Sequence, residues 1–351
     1  MRAAVCYSLK QVQVEEIPTP GIASGELLVR VEICGLCGSD ISKLSDVNRG
    51  VGKILGHEMT GIVVEKGKDV GAFSLGQRVV AGHHAPCFEC HYCRHGSYSM
   101  CAAFKTSNLD PGGFAEYVRI PAANVRHVTL GLPEDLSMEE GSFVEPLACC
   151  IRAMRRTPLE AGDTALVLGL GSIGLLMLQL FRLQGAQSVG ADFLAERRAL
   201  ATQLGADMVG SPDDPEFLEE IRRRTEGRGP DLVMTATESP QALVQALELV
   251  RNGGAVNLFG GIAQPLVELD MAALYKRELT LLSSYSSYPP DFPVALQLLQ
   301  SRKVRVAEMV THRYGLDGLD RAIDAMIQKI GIKQIIRPFQ REGEGYEGRK
   351  G

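Results

Sequence analysis

Cys87, Cys90, Cys93 and Cys101 stand together as CFECHYCRHGSYSMC, a C-x2-C-x2-C-x7-C spacing. Four thiolates this close along a chain can close a tetrahedron around Zn²⁺ with no open coordination position, the arrangement of a structural site. Such a site would staple a loop too polar to pack by itself. Left without metal, four exposed thiols in so short a segment would be an oxidation hazard. An iron–sulfur cluster is the chemical alternative at similar spacing. His83, His84, His91 and His95 crowd the same region and read as bystanders, because the cysteines already complete a shell.

A second group is dispersed. GLCGSD supplies Cys37, Ser39 and Asp40; GHE supplies His57 and Glu58; FVEP supplies Glu145. Thiolate, imidazole and carboxylate around Zn²⁺ leave a fourth position for water or substrate, which is what a catalytic site requires. One thiolate and one carboxylate also neutralise the ion. Spacing alone does not bring these residues together. Cys34 precedes Cys37 with CxxC spacing, so a redox dithiol is the competing reading; GSD and GHE favour metal use of Cys37 and leave Cys34 as a buried strand residue. Cys6, Cys149 and Cys150 lie in apolar surroundings and read as core.

The third constellation is GLGSIG, in which Gly169, Gly171 and Gly174 form GxGxxG directly after an apolar run and at the start of a helical one. The first glycine permits the tight turn, the second lets the backbone approach a pyrophosphate, and the third lets helix and strand pack closely. The helix N-terminus offers free N–H groups and a positive dipole end to phosphates. Asp192 closes the next expected strand, where a carboxylate can accept hydrogen bonds from both ribose hydroxyls and repel a 2′-phosphate. NAD is therefore favoured over NADP. Arg197 and Arg198 argue the other way, since a nearby arginine can hold that phosphate.

These groups need elements to position them. The first third of the chain carries ELLVRVEI, GIVVEKG, QRVVAGHH and AEYVRIP, short Val/Ile-bearing runs between turn residues that read as strands of an all-β module. From Thr164 the pattern changes. TALVLG reads as strand, LLMLQLFRLQG as a helix ending at Gly185, SVGAD as strand, AERRALATQLG as helix and DLVMTAT as strand. Ser239 and Pro240 suit an N-cap and first helical position, with the helix running to about Val250. AVNLFGG and LTLLSSY close the series as strands. Strands alternating with helices of this length mean βαβ units and a parallel sheet. PVALQLLQS and LDRAIDAMIQ follow as helices, and the charged, glycine-rich tail REGEGYEGRKG reads as disordered.

Composition narrows the function. The 351 residues suit two ordinary domains, and 45% hydrophobic with 23% charged residues is globular composition. A formal net charge of -5 argues against a nucleic-acid partner. The N-terminus lacks a signal-peptide pattern, and the apolar run near Gly174 breaks at Gln179 and Arg182, too soon to span a bilayer. A cytoplasmic protein is expected, where clustered cysteines more often mean metal or catalysis than disulfides.

Together GLCGSD, GHE with GIVVEKG, the four-cysteine lobe, GGFAEYVRIP, FVEPLACC and GLGSIG resemble the zinc-dependent medium-chain dehydrogenase/reductase family, in that family's order and over about residues 1–340. The likeness is greatest to its sorbitol (polyol)/threonine dehydrogenase branch, because Glu145 stands in an EP dipeptide where many alcohol dehydrogenases carry a cysteine ligand. The resemblance implies an α/β protein. A GroES-like, β-rich catalytic domain would take residues 1–150, with a structural zinc lobe at about 84–103, and would resume at 289–351. A Rossmann domain, a doubly wound parallel sheet that binds NAD, would take residues 151–288. It also implies a homo-oligomer, either tetramer or dimer.

By the same resemblance Cys37, His57, Glu58 and Glu145 are ligands of a catalytic zinc, with the choice of directly bound carboxylate left open, and Asp40 orients His57. Two zinc ions per chain follow from the two constellations. Ile173, Asp192 and Arg197 match cofactor-contact positions, as do Phe259, Gly260, Ser284 and Tyr285. The implied activity is hydride transfer between NAD and a secondary alcohol such as a polyol, cyclitol or related sugar alcohol, with Ser39 helping to carry the proton away. A threonine, amino-alcohol or simple secondary-alcohol substrate is the alternative, and a zinc-free nucleotide-binding or sensing protein the alternative of another class. Two departures stand out. Ser42 occupies the position where many relatives have a proton-relaying histidine, with Lys43 beside it. Tyr285-Ser286-Ser287 replaces the Phe-Arg-Tyr stretch of sorbitol dehydrogenases, so an arginine clamp is missing and sorbitol itself is disfavoured.

Overall fold

The computed structural model describes residues 1–9, 11–45, 52–261 and 266–340; the tail read as disordered lies outside the described residues. In chain order the strands are β1 (Arg2–Ser8), β2 (Gln11–Glu16), β3 (Leu27–Gly35), β4 (Glu58–Lys66), β5 (Arg78–Ala81), β6 (Tyr117–Ile120) and β7 (Thr129–Gly131). The middle of the chain adds β8 (Thr164–Leu168), β9 (Gln187–Ala191), β10 (Met208–Gly210), β11 (Leu232–Thr235), β12 (Ala255–Leu258) and β13 (Thr280–Ser283). The return adds β14 (Val310–Tyr314) and β15 (Lys333–Ile336). The chain divides into two compact units, Met1–Glu145 with Met309–Gly351, and Pro146–Glu308.

The first unit is built on a seven-stranded sheet in the order β14-β15-β3-β4-β5-β7, with β6 also paired to β3 and a separate β1–β2 hairpin. β3 reads LLVRVEICG and is buried at seven of its nine positions, which suits a strand with neighbours on both sides. Its core joins Leu27, Val29 and Val31 to Val63, Val79, Val118 and Ile120. Leu319, Ile323 and Ile336 from the C-terminal segment complete the same cluster. Burying each such side chain stabilises by roughly 1.5–3 kcal/mol, so the C-terminal strands and helix are integral to this core. A charged clasp reinforces the join: Glu139 accepts hydrogen bonds from Arg313 Nε at 2.8 Å and Nη2 at 2.7 Å, and another from Arg337 Nη2.

The second unit is a six-stranded parallel sheet in the order β10-β9-β8-β11-β12-β13. Parallel neighbours need crossovers, and helices at Ser172–Leu183, Ala195–Gln203, Pro215–Arg224, Pro240–Leu249 and Met271–Lys276 lie in them. β8, TALVL, is buried at every position, as a strand covered on both faces must be. Ser239 Oγ accepts from Ala242 N and caps the helix that starts at Pro240, as its sequence predicts. Strand order reverses between β8 and β11, and an open α/β sheet binds ligands at the carboxyl ends of its strands beside such a reversal.

The unit boundaries fall at 145 and 308, where the family resemblance implies 150 and 288. The later boundary has a physical cause. Arg155 pairs with buried Asp291 at 3.0 Å, Arg152 donates to Tyr288 OH at 2.9 Å, and Gln179 exchanges hydrogen bonds with both backbone groups of Arg305. Residues 288–305 are thereby tied to the second unit. Cys6, Cys34 and Cys150 are buried as expected, whereas Cys149 is only half-buried.

Candidate active site

Cys37 lies just beyond β3 and one residue before the helix Gly38–Ser45. Asp40, in that helix's first turn, is wholly buried; its Oδ2 accepts from Cys37 N at 3.1 Å, and its Oδ1 stands 3.3 Å from His57 Nδ1. A carboxylate on Nδ1 orients the imidazole and leaves Nε2 to face the opposite way. On that side Ser39 Oγ lies 3.4 Å from His57 Nε2 and 3.3 Å from Cys37 Sγ. Burial works to lower the His57 pKa, but the charge and hydrogen bond of Asp40 outweigh it and hold the imidazole well above its ordinary value. A metal ion at Nε2 would take the place of that proton.

Glu58 opens β4 directly across from Gly35 of β3. Its carboxylate is ion-paired with Lys333 of β15, both side chains being 2% exposed, and Lys333 Nζ also donates to Leu36 O at 3.0 Å. A side chain at position 35 would collide with this pair, since a Cβ there would lie 2.8 Å from Lys333 Cε. Glycine makes the room. Burial opposes the Lys333 charge, yet Glu58 and the neighbouring anionic groups raise its pKa above the usual lysine value. Glu145, buried in the first turn of the helix Val144–Arg156, has Oε1 3.7 Å from His83 Nδ1. His83 is also buried, which pushes its pKa well below the usual histidine value, with the charge of His57 adding to the effect.

The four expected ligands thus divide. Cys37, His57 and Glu58 place their donor atoms within 4.8 Å of one another, and so do His57, His83 and Glu145. His57 belongs to both groups. A half-buried soft thiol beside a buried imidazole and a buried carboxylate fits Zn²⁺. The lobe fits it too. Sulfur–sulfur separations are 3.5 Å for Cys90–Cys93, 3.6 Å for Cys101–Cys87 and 4.0 Å for Cys87–Cys93. Four sulfurs about 2.3 Å from one zinc stand about 3.8 Å apart in a tetrahedron. His91 and His95 lie on this lobe, whereas His83 has turned away from it to His57.

At the carboxyl end of β8 the three glycines meet three different demands. Gly169 has φ +99°, a left-handed turn, and a Cβ there would press on Ala236 O. A Cβ on Gly174 would collide with Gly169 O. A Cβ on Gly171 would meet nothing within 4 Å, so the backbone at the N-terminus of Ser172–Leu183 is open to an incoming pyrophosphate, and the loop fits a dinucleotide. Ile173 follows, half-buried. Asp192 is fixed by backbone amides, Oδ2 accepting from Leu170 N at 2.8 Å and Oδ1 from Leu194 N at 2.9 Å. Arg197 Nη1 lies 3.6 Å from Asp192 Oδ2, and Arg198 donates to the carbonyls of Asp192 and Phe193. Phe259 and Gly260 follow β12, both amides donating to Thr235 O. Ser284 and Tyr285 follow β13, the first half-buried and the second exposed.

Known proteins are similar to this chain. Residues 23–130 match the family described as alcohol dehydrogenase GroES-like domain, and residues 172–301 match zinc-binding dehydrogenase. The D-arabitol-phosphate dehydrogenase of Enterococcus avium is 33% identical over 92% of this chain and 92% of its own length. The chain belongs to the zinc-binding medium-chain dehydrogenases. Within them it falls in the polyol dehydrogenase-like branch, and it is an oxidoreductase. The sorbitol dehydrogenase of Halalkalibacterium halodurans is 30% identical over 93% of this chain and 95% of its own. A crystal structure from Sinorhizobium meliloti 1021, described as a zinc-binding dehydrogenase bound to NADP, superposes with a TM-score of 0.85 at 29% identity, covering 96% of this chain and 99% of that one.

Two residues of this dehydrogenase's site escape sequence reasoning. Lys333 sits in KQII, a short strand whose burial contradicts the usual exposure of lysine; only its apolar flanks hint at a paired charge. His83 is masked by the cysteine lobe next to it in sequence.

Proposed function

We propose that this dehydrogenase catalyses reversible NAD-dependent oxidation of a secondary alcohol carried by a polyol, cyclitol or related sugar alcohol. Zn²⁺, when bound, supplies Lewis acidity towards a substrate hydroxyl, and NAD supplies the hydride acceptor. Cys37, His57 and a carboxylate from Glu58 or Glu145 hold the metal, and Asp40 positions His57. Ser39, exposed at Oγ and adjacent to Cys37 and His57, receives the hydroxyl proton and passes it to water, with Lys43 lending positive charge in place of the histidine absent at position 42. Cys87, Cys90, Cys93 and Cys101 hold a second, structural zinc. Gly169, Gly171, Ile173 and Gly174 receive the pyrophosphate, Asp192 the ribose, and Arg197, Phe259, Gly260, Ser284 and Tyr285 line the cofactor. The first unit is read as the catalytic domain and the second as the NAD-binding domain.

The observation carrying this reading is the meeting of three unlike donors, the half-buried Cys37 thiol with the buried His57 imidazole and Glu58 carboxylate, in a chain whose glycine loop leaves room for a dinucleotide. Arg197 and Arg198 are both directed at Asp192 or its carbonyl, which supports NAD as the cofactor. A homo-oligomer is part of the same reading: β13, the outer strand of its sheet, has three of four residues exposed, Leu281 among them. A reducing, cytoplasmic setting is supported by nine cysteines with no disulfide. No helix among the described residues is long and apolar enough to cross a membrane.

The test is a panel of polyols, polyol phosphates, cyclitols, threonine and simple secondary alcohols, read as NADH formation with NADP in parallel and metal analysis alongside. Polyol-dependent NADH and near two zinc per chain are expected. Activity confined to NADP, or to threonine, would replace the cofactor or the substrate class respectively.

A further inference from the structure

The four-cysteine shell leaves His91 and His95 without a task. Of the seven histidines only these two are exposed; the rest are buried or half-buried. They stand at the two ends of the single helical turn His91–Arg94, which Cys90 precedes and His95 closes. Residues at i and i+4 are neighbours on one helix face, and the rings here do meet: their centroids are 4.2 Å apart and their planes 31° from parallel.

The nitrogens left over are those a metal needs. His95 Nδ1 lies 2.8 Å from His91 O, and a carbonyl only accepts, so Nδ1 carries the proton and Nε2 of the neutral ring keeps its lone pair. The same carbonyl accepts the His95 backbone N–H at 3.2 Å, which fastens ring and helix end together. An imidazole that gives one proton to a backbone carbonyl and keeps the other nitrogen as a lone pair has the oriented form of a metal ligand. The His91 ring nitrogens have no hydrogen-bond partner among the described residues, and Tyr92 meets that ring edge-on at 5.8 Å. The separation also selects the ion. With metal–nitrogen bonds of about 2.0–2.1 Å, two ring centres stand about 4.5 Å apart when the bonds meet at a right angle and about 5.2 Å apart at the tetrahedral angle. The observed 4.2 Å lies on the right-angle side. Nickel(II) and copper(II) prefer right angles, whereas zinc held by four thiolates takes a tetrahedron.

We infer that His91 and His95 form a surface site of their own for a divalent transition-metal ion of right-angled geometry, nickel(II) or copper(II), with water in the remaining positions. It is separate from both zinc constellations and independent of the dehydrogenase reading. The ion would bridge one turn of the helix that carries Cys93, on the face turned to solvent, while Cys93 itself is buried in the lobe core.

Calorimetric titration of the zinc-loaded, full-length protein with nickel(II) tests it, with zinc content measured before and after. About one nickel per chain is expected with no zinc released, and binding about 10²-fold weaker in His91→Ala, where the gain from two linked donors is gone. Nickel uptake that is equal in His91→Ala, or that occurs only as zinc leaves, overturns the inference. X-ray absorption at the nickel edge on the wild type decides independently of any variant. Two imidazoles per nickel and no sulfur are expected; sulfur ligation, or a single imidazole, overturns it.

Discussion

Ser39 is the residue with the least redundancy. Its hydroxyl bridges Cys37 Sγ and His57 Nε2 and is open to water, so it can accept a proton at the reacting end and release it at the other. Ser39→Ala should lower kcat by about 10²-fold or more while leaving the cofactor dissociation constant unchanged, as read by steady-state rates and NADH fluorescence titration. Lys333 tests a different quantity. Lys333→Met leaves a buried Glu58 charge without its partner and should cost about 3–5 kcal/mol, measured as a drop in urea midpoint at constant m. Adding Glu58→Leu should recover most of that loss; a double variant as unstable as the single would mean the two charges do not compensate each other. At this scale the sequence is legible where partners are near in the chain. The spacing of the four lobe cysteines foretells that they gather, and that of GLGSIG foretells the tight strand-to-helix turn. Glu58 with Lys333, and Glu145 with His83, meet only through the sheet and could not be paired by any local pattern.

Elements join these residues, and two of them carry measurable loads. The cysteine lobe has a core of only Cys93, Cys101 and Phe104, with Cys90 and Tyr98 against it. So small a cluster cannot order its loop without the metal. Cys90→Ser, or a chelator strong enough to empty the lobe, should make the segment around residues 88–100 cleavable by protease; continued resistance would show that packing suffices. The Glu139 clasp acts between segments distant in sequence. Burial raises the Glu139 pKa, but hydrogen bonds from Arg313 and Arg337 prevail and leave it below the usual 4.5. A depressed carboxylate pKa means stability that is present above the unfolded value and lost as pH falls through the folded one. Glu139→Gln should therefore cost about 1 kcal/mol near neutrality, after allowing for solvent screening, and the gap from the wild type should close below pH 4.5. The strands and helices of the second unit are evident from their periodicity. The helix Gly38–Ser45 is not, since it starts on glycine without a strong cap, and β14 and β15 are obscured by a polar alternation and by the buried Lys333 and Gln334.

The molecule as a whole is a β-rich unit whose chain leaves, builds a complete parallel sheet, and returns. That one domain would be split between both ends of the chain is legible only through family resemblance, because no composition shift marks the return. The point of return is not legible at all, since Asp291 and Arg305 reveal their partners only in three dimensions. Ending the chain at residue 308 removes β14, β15, Ile323, Ile336 and Lys333 together. Such a truncation should abolish cooperative unfolding of the first unit, read by urea denaturation, while the glycine loop at Gly169–Gly174, wholly within the second, stays intact.

This threading also bears on how the protein is made. Everything needed for the parallel sheet lies between β8 and β13, so that layer can consolidate soon after the ribosome has passed Ser283. The segment translated first must wait. β3 cannot gain its β15 neighbour until Ile336 has cleared the exit tunnel, so an unfinished β edge remains open through most of synthesis, during which a chaperone has reason to cover it.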